Sequence, residues 1–155
     1  MKQDLKNIDT IIVHMSASYA DKDYTETQLA KDHELRGINR PMGYHAYIRK
    51  DGRRIKGRDM NIVGAHARPE NTNSLGVCYE GGIRAGGNHL DPKDAVDTRT
   101  EWQKAELLNT IYDWIKKVKE AGGRIKVIKG HNQVTGVTKK CPGFDAQKEY
   151  EWILI

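Results

Sequence analysis

"TIIVHMSAS" (residues 10–18) begins as a continuous apolar run that breaks at His14, beyond which small polar residues follow. The run has the length of a strand and is rich in β-branched residues, which is typical of a strand buried within a sheet. We therefore predict a buried strand that has His14 at its end.

Three further segments are predicted to form strands. "SLGVCYEGG" (74–82) is a short apolar run stopped by glycines, and "RIKVIKG" (124–130) alternates like a strand and is followed directly by His131. "GYHAYIRKDGRRIKG" (43–57) contains two strand-like runs on either side of Asp51-Gly52. Because this dipeptide favours the type I′ turn, a two-residue β-hairpin is predicted there.

Helices are predicted between and after these strands. "TETQLAKDHELRG" (25–37) opens with capping-box spacing, and "DAQKEYEWIL" (145–154) has the pattern of a closing helix. The clearest helix is predicted over 98–121, where Thr98 and Glu101 form a capping box before an apolar stripe at helical spacing. Strands interleaved with helices around one core predict a mixed α/β domain.

The composition indicates a single domain spanning residues 1–155, with a net charge of +5 and a pI near 9.1. A basic chain favours an anionic partner such as a bacterial wall, a membrane surface or nucleic acid. The two cysteines, Cys78 and Cys141, are too few for a disulfide framework, so a reducing compartment is expected. The polar N-terminus and the lack of a long apolar run predict no signal peptide and no membrane insertion.

"KGHNQVTGVTKKCPGFD" (129–145) places a histidine and a cysteine on either side of a short polar loop. Lys139 and Lys140 precede Cys141, and their positive charge would favour its thiolate, which suggests a metal ligand or a reactive thiol. Because strand ends converge on one rim of a sheet, His14 and His131 can meet there, with Cys141 brought back by the loop.

Two imidazoles and one thiolate form a set of three ligands, which is the number that catalytic zinc sites use while keeping one position open. The alternative is that each histidine is only a hydrogen-bonding residue at a strand end, which is the commoner use of a single histidine. Spacing by itself does not decide between these interpretations.

Several motifs occur in the order seen in a known enzyme family, at nearly the same spacing, from about residue 8 to residue 145. They are "IDTIIVHMSAS", "GYHAYIRKDGRRIKGRD", "VGAHA", "NTNSLGVCYEGG" and "GHNQVTGVTKKCPGFD". In these motifs the chain resembles the zinc N-acetylmuramoyl-L-alanine amidases, which include the lysozyme of T-odd phages and the peptidoglycan recognition proteins. The resemblance implies a single mixed central β-sheet flanked by helices.

The resemblance also implies roles for individual residues. One zinc ion per chain would be bound by the residues at the family's ligand positions, which are His14, His131 and Cys141. Tyr44 would hold or relay a proton of the attacking water, and Lys139 would stabilise the oxyanion. The loop before Cys141 is longer than in the phage enzymes, so Lys140 is the alternative catalytic lysine.

Two other histidines lie close to these motifs in the sequence. His66 matches a residue of the substrate groove, although a surface histidine is the other interpretation of its loop position. His45 must point to the opposite face of its strand from Tyr44, so at most one of the two faces the zinc.

The implied function is hydrolysis of the amide bond between N-acetylmuramic acid and L-alanine in peptidoglycan. A recognition module that binds peptidoglycan without cutting it is the alternative, although such modules usually lack the cysteine ligand. Scattered lysines without interleaved aromatic residues argue against a nucleic-acid partner. We expect a monomeric endolysin of a phage or prophage that is made in the cytoplasm. It would act on the cell wall after release through a holin or during lysis.

Overall fold

The computed structural model describes residues 1–155 and contains seven strands and three α-helices. The strands are β1 (Thr10–Met15), β2 (Ser18–Tyr19), β3 (Ala46–Ile48), β4 (Arg54–Lys56), β5 (Ser74–Tyr79), β6 (Gly82–Ile83) and β7 (Val127–Gly130). The helices are α1 (Glu26–Leu35), α2 (Glu101–Glu120) and α3 (Ala146–Tyr150), with short 3₁₀ helices at Leu5–Asn7, Pro92–Asp94, His131–Gln133 and Glu151–Leu154. None of the helices is both long and apolar enough to cross a membrane.

The centre of the fold is a five-stranded sheet in the order β4-β3-β5-β1-β7. Strand β1 runs parallel to both β5 and β7, and β3 runs parallel to β5, whereas β4 is antiparallel to β3. Strands β2 and β6 form a separate two-stranded parallel pair. The predicted single mixed sheet flanked by helices is therefore confirmed.

The side chains of β1 alternate between two faces of the sheet. Ile11, Val13 and Met15 belong to the main hydrophobic core, together with Leu107, Ile111, Trp114 and Val118 of α2. Ile12 packs in a different cluster, and His14 shares its face because side chains two positions apart on a strand point the same way. The apolar stripe of α2 thus covers one face of the sheet, and His14 points to the other face.

Helix α1 lies against a second, smaller apolar cluster. Its Leu29 packs with Met42, with Tyr47 of β3 and with Cys78 of β5. The predicted capping of this helix is observed, since the Thr25 hydroxyl accepts the backbone N–H of Gln28 at 3.2 Å. Cys78 is fully buried and reduced, as expected for a small core residue.

The start of α2 differs from the prediction. The helix is capped by Thr100, whose side chain accepts the N–H of Gln103 while the Gln103 side chain accepts the N–H of Thr100. The Thr98 hydroxyl instead accepts the backbone N–H of Gly82 at 2.7 Å. A tertiary contact therefore takes the side chain that the local pattern assigned to the cap.

Two other predicted elements are corrected by the structure. The hairpin about Asp51-Gly52 exists, but Gly52 alone has a positive φ, so the turn is not type I′, which needs two such residues. Five residues, 49–53, separate the last paired residues of β3 and β4. Strand β7 covers only Val127–Gly130, the second half of the predicted segment 124–130.

Candidate metal centre

The register of the two neighbouring strands brings His14 and His131 together. Val13 of β1 pairs with Gly130 of β7, so the next residue of each parallel strand lies at the same level of the sheet. His131 begins the 3₁₀ helix that follows β7, and its ring centroid lies 4.6 Å from that of His14.

Cys141 reaches these histidines from the loop that follows the 3₁₀ helix. The Met15 backbone N–H donates to its Sγ atom at 3.1 Å, and Nδ1 of His14 lies 4.0 Å from the same sulfur. On either side of this contact, the N–H of Asn132 donates to the Cys141 carbonyl, and the Tyr79 hydroxyl donates to the Pro142 carbonyl, both at 2.6 Å. The thiol is therefore fixed by backbone contacts on several sides.

The donor set has the chemistry of a zinc site, and its ligand atoms lie slightly farther apart than around a bound ion. One ligand atom from each of His14, His131 and Cys141 lies within 4.8 Å of the other two. With Zn–N of about 2.0–2.1 Å and Zn–S of about 2.3 Å, a tetrahedral ion spaces its ligand atoms roughly 3.3–3.6 Å apart. Small side-chain rotations therefore suffice to close the set around an ion, and three protein ligands leave the fourth position open.

Burial keeps both histidines in the neutral form that binds metals. It lowers the pKa of His14 well below the ordinary value, and the charges of His66 and His131 lower it further. Burial and the charge of Lys139 also lower the pKa of His131. Neutral imidazoles at neutral pH are ready to coordinate without first losing a proton.

Cys141 is not the thiolate that its neighbouring lysines predicted. Burial raises its pKa to about 12, and this outweighs the opposing effects of the Met15 N–H and the Lys139 charge. Without a cation the side chain is therefore a thiol at neutral pH, and not the thiolate that the neighbouring lysines suggested. A bound dication would supply the missing stabilisation of the thiolate.

The three side chains lie in a cavity of about 840 Å³. This volume falls within the range of pockets that bind small ligands. Its walls include one carboxylate, Asp91, and four basic residues. The basic residues are Arg36, Arg68, Lys139 and Lys140.

Comparison with known proteins identifies the family. The sequence profile described as N-acetylmuramoyl-L-alanine amidase matches residues 4–144. This chain belongs to the N-acetylmuramoyl-L-alanine amidase family. The family and the enzyme class implied by the sequence motifs are confirmed.

Relatives and solved structures agree with this membership. The amidase is 32% identical over 147 residues to the endolysin of Escherichia phage T7, covering 94% of this chain and 87% of the relative. It is 35% identical over 141 residues to the endolysin of Klebsiella phage KP32, covering 91% and 84%. It is also similar to the solved endolysin amidase LysCS from Clostridium intestinale, with a TM-score of 0.72, 26% identity and coverage of 99% and 88%.

Tyr44 lies beside the candidate ligands of the amidase, and His45 does not. The Tyr44 ring centroid is 4.9 Å from that of His14, and burial raises the pKa of Tyr44 well above its ordinary value. His45 points the other way, where Nδ1 accepts the N–H of Gly76 at 3.0 Å and Nε2 donates to the Ile62 carbonyl at 2.8 Å. The two neighbours thus face opposite sides, as the alternation of a strand predicts.

Both candidate lysines line the cavity of the amidase. The charge of Lys139 lowers the pKa of His131 and that of Cys141. This effect favours Lys139 as the lysine that acts at the ligands. Which of the two acts in catalysis stays a prediction.

His66 is a buried residue that contacts one of the candidate ligands. Its side chain is buried, and its Nδ1 atom lies 2.8 Å from Nε2 of His14. It lines the cavity as well, so the predicted contact with substrate remains open to test. No local pattern indicates its contact with His14, because the two residues are 52 positions apart.

Two histidines that sequence reasoning left without a role also line the cavity. His33 lies one helical turn after Leu29 on the buried side of α1, and its Nδ1 accepts the Gly43 N–H at 3.0 Å. The spacing of four residues from Leu29 is the signal that could have placed it. His89 lies in the glycine-rich loop, where its Nδ1 is 3.3 Å from the Tyr19 hydroxyl, and no local pattern indicates that position.

Proposed function

We propose that this amidase hydrolyses the amide bond between N-acetylmuramic acid and L-alanine in peptidoglycan, using one zinc ion held by His14, His131 and Cys141. The observation that carries the proposal is the convergence of these three side chains, with ligand atoms within 4.8 Å of one another, in a substrate-sized cavity. A zinc ion held there supplies an activated water at neutral pH and polarises the scissile carbonyl.

Lys139 and Tyr44 act on the reacting amide group. As the carbonyl carbon is attacked, negative charge develops on its oxygen, and the Lys139 ammonium donates to that oxygen. The raised pKa of Tyr44 keeps its hydroxyl protonated, so it orients the attacking water as a hydrogen-bonding group and does not act as a phenolate base. The C–N bond then breaks: the oxygen of the attacking water stays on the carbonyl carbon as part of a carboxylate, and a proton from that water passes to the alanine nitrogen, which leaves as a free amino group.

The charge of the cavity suits a substrate with carboxylates. Arg36, Arg68 and Lys140 line the cavity, and none of them forms an ion pair within the chain. The peptide stems of peptidoglycan carry free carboxylates, which such unpaired cations can bind. His66 is proposed as a further substrate contact on the basis of its position in the cavity wall.

The complete ligand set favours an enzyme over a recognition module that binds peptidoglycan without cutting it. Cys141 is the residue that distinguishes the two, since a binding module needs no third ligand. The phage relatives are endolysins. We extend that role to this chain, as a monomer made in the cytoplasm that acts on the wall during lysis.

Metal dependence and cleavage can be tested in one experiment. Purified peptidoglycan is incubated with the protein as isolated, after chelator treatment, and after return of one equivalent of zinc. We expect about one zinc per chain, loss of cleavage on chelation and recovery on return of zinc. Binding to peptidoglycan without cleavage in all three samples would favour the recognition module instead.

A further inference from the structure

His66 is a buried histidine whose ring is held in place by its surroundings. A Cβ atom at Gly76 would lie 2.6 Å from its Nδ1 atom, and one at Gly64 would lie 2.5 Å from its Cδ2 atom. Only glycine at these two positions leaves room for the ring. The Asn71 side chain accepts the backbone N–H groups of His66 and Ala67 at 2.9 and 2.8 Å, which fixes the loop.

The hydrogen bonds around this ring have one consistent direction. The Ser74 hydroxyl lies 2.6 Å from the Glu70 carbonyl, and a carbonyl can only accept, so Ser74 donates there. The Ser74 oxygen is then free to accept from Nε2 of His66, 3.3 Å away. A neutral imidazole that carries its proton on Nε2 has an acceptor at Nδ1.

The direction of these hydrogen bonds also fixes the position of the proton on His14. Since Nδ1 of His66 accepts, Nε2 of His14 must be the donor in the 2.8 Å contact between them. The proton of neutral His14 is therefore on Nε2, and the lone pair of its Nδ1 atom faces the sulfur of Cys141 at 4.0 Å. This is the tautomer that His14 needs in order to bind a metal through Nδ1.

We propose that His66 is a positioning residue that holds His14 in the Nε2–H tautomer and so strengthens metal binding at the candidate centre. The inference rests on the proposed function, because it concerns the same metal. A ligand histidine usually donates its second ring N–H to a carboxylate, a carbonyl or water, and loss of such a partner typically weakens metal affinity roughly tenfold to hundredfold. In this chain a second imidazole takes that place.

Two variants with the same number and branching of side-chain heavy atoms separate the hydrogen bond from simple packing. His66→Asn places a side-chain oxygen near the present position of Nδ1 and keeps an acceptor for His14, whereas His66→Leu fills similar space without one. Zinc affinity is measured by competition with a chromophoric chelator, independently of cleavage. We expect affinity within about threefold of wild type for His66→Asn and a loss of roughly tenfold to hundredfold for His66→Leu.

A second measurement needs no substitution. In metal-free protein with ¹⁵N-labelled histidine, NMR distinguishes the protonated ring nitrogen from the unprotonated one. The wild type should show His14 protonated on Nε2, with Nδ1 bare, and His66→Leu should show a mixture of the two forms. Protonation of His14 on Nδ1 in the wild type would overturn the proposal even if every variant failed to fold.

The two proposals fail in different ways. Equal zinc affinity of wild type and folded His66→Leu would overturn the role of His66 and leave the proposed function intact. Equal losses in His66→Asn and His66→Leu would show that the ring only fills space. A wild type without zinc affinity would contradict the proposed metal centre itself, and the role of His66 with it.

Discussion

The Sγ atom of Cys141 lies 4.0 Å from Nδ1 of His14, although 127 positions separate the two residues in the chain. If both are zinc ligands, Cys141→Ala should leave only two protein ligands and lose stoichiometric zinc. Cleavage of peptidoglycan should fall with it. Elemental analysis after dialysis against a weak chelator checks this prediction.

Cys78→Ala is the matched control for Cys141→Ala. Both cysteines are buried and reduced, but only Cys141 belongs to the cluster of candidate ligands. The control should therefore retain about one zinc per chain. Tight, stoichiometric zinc in Cys141→Ala would remove that residue from the ligand set.

Substitution of the two lysines should separate their roles. Lys139→Ala is expected to keep zinc and lose roughly a hundredfold or more in kcat, the scale of a lost oxyanion donor. Lys140→Ala should stay close to wild type. Steady-state kinetics on a soluble muropeptide measures both variants, and a reversed pattern would assign catalysis to Lys140.

Tyr44→Phe removes the hydroxyl beside the ligands while keeping the ring that packs near His14. Zinc content and affinity for wall fragments should be retained, because neither depends on that hydroxyl. Turnover should fall roughly a hundredfold, since the hydroxyl acts on the reacting water. A change in KM alone, with kcat unaltered, would place Tyr44 in substrate binding and outside the chemical step.

The metal-free protein should lose stability in acid because of His45. Burial lowers the pKa of His45 to about 4, whereas an unperturbed histidine has a pKa of about 6.5. Between these values the unfolded chain binds a proton that the folded chain does not, so the free energy of unfolding falls as the pH falls. From pH 7 to pH 5, this residue should contribute a loss of about 2 kcal/mol.

Denaturant unfolding at both pH values, with chelator present, measures that loss. His45→Asn lacks the titrating ring and can still accept the N–H of Gly76. From pH 7 to pH 5, the variant should therefore lose about 2 kcal/mol less stability than the wild type. Equal losses in the two proteins would mean that the pKa of His45 is not lowered in the folded protein. NMR titration of the His45 ring then gives its pKa directly.

Local patterns were sufficient for much of the fold. The apolar run of β1 predicted its burial and the position of His14, and the alternation of "RIKVIKG" placed His131 past the end of a strand. Both inferences succeed because the burial and the alternation of a strand are determined by residues that are adjacent in the sequence. The convergence of parallel strand ends then brings the two histidines to one rim.

Features that depend on distant contacts could not be predicted in the same way. Thr98 and Thr100 both precede a plausible capping partner, and the choice between them depends on Gly82, whose N–H bonds to Thr98. The pKa of Cys141 is set mainly by its burial, in a position where it contacts Met15 far away in the sequence, and the neighbouring lysines do not outweigh that burial. The contact of His66 with His14 likewise joins residues that lie far apart in the sequence.

The most direct test of the central claim is the identity of the bond that is cut in peptidoglycan. Purified sacculi are digested, and new free amino groups are measured together with new reducing sugar ends. The account predicts alanine amino groups appearing in step with the loss of turbidity, no increase in reducing ends, and no reaction by zinc-free protein. Reducing ends that appear with the turbidity loss, or full cleavage by zinc-free protein, would contradict it.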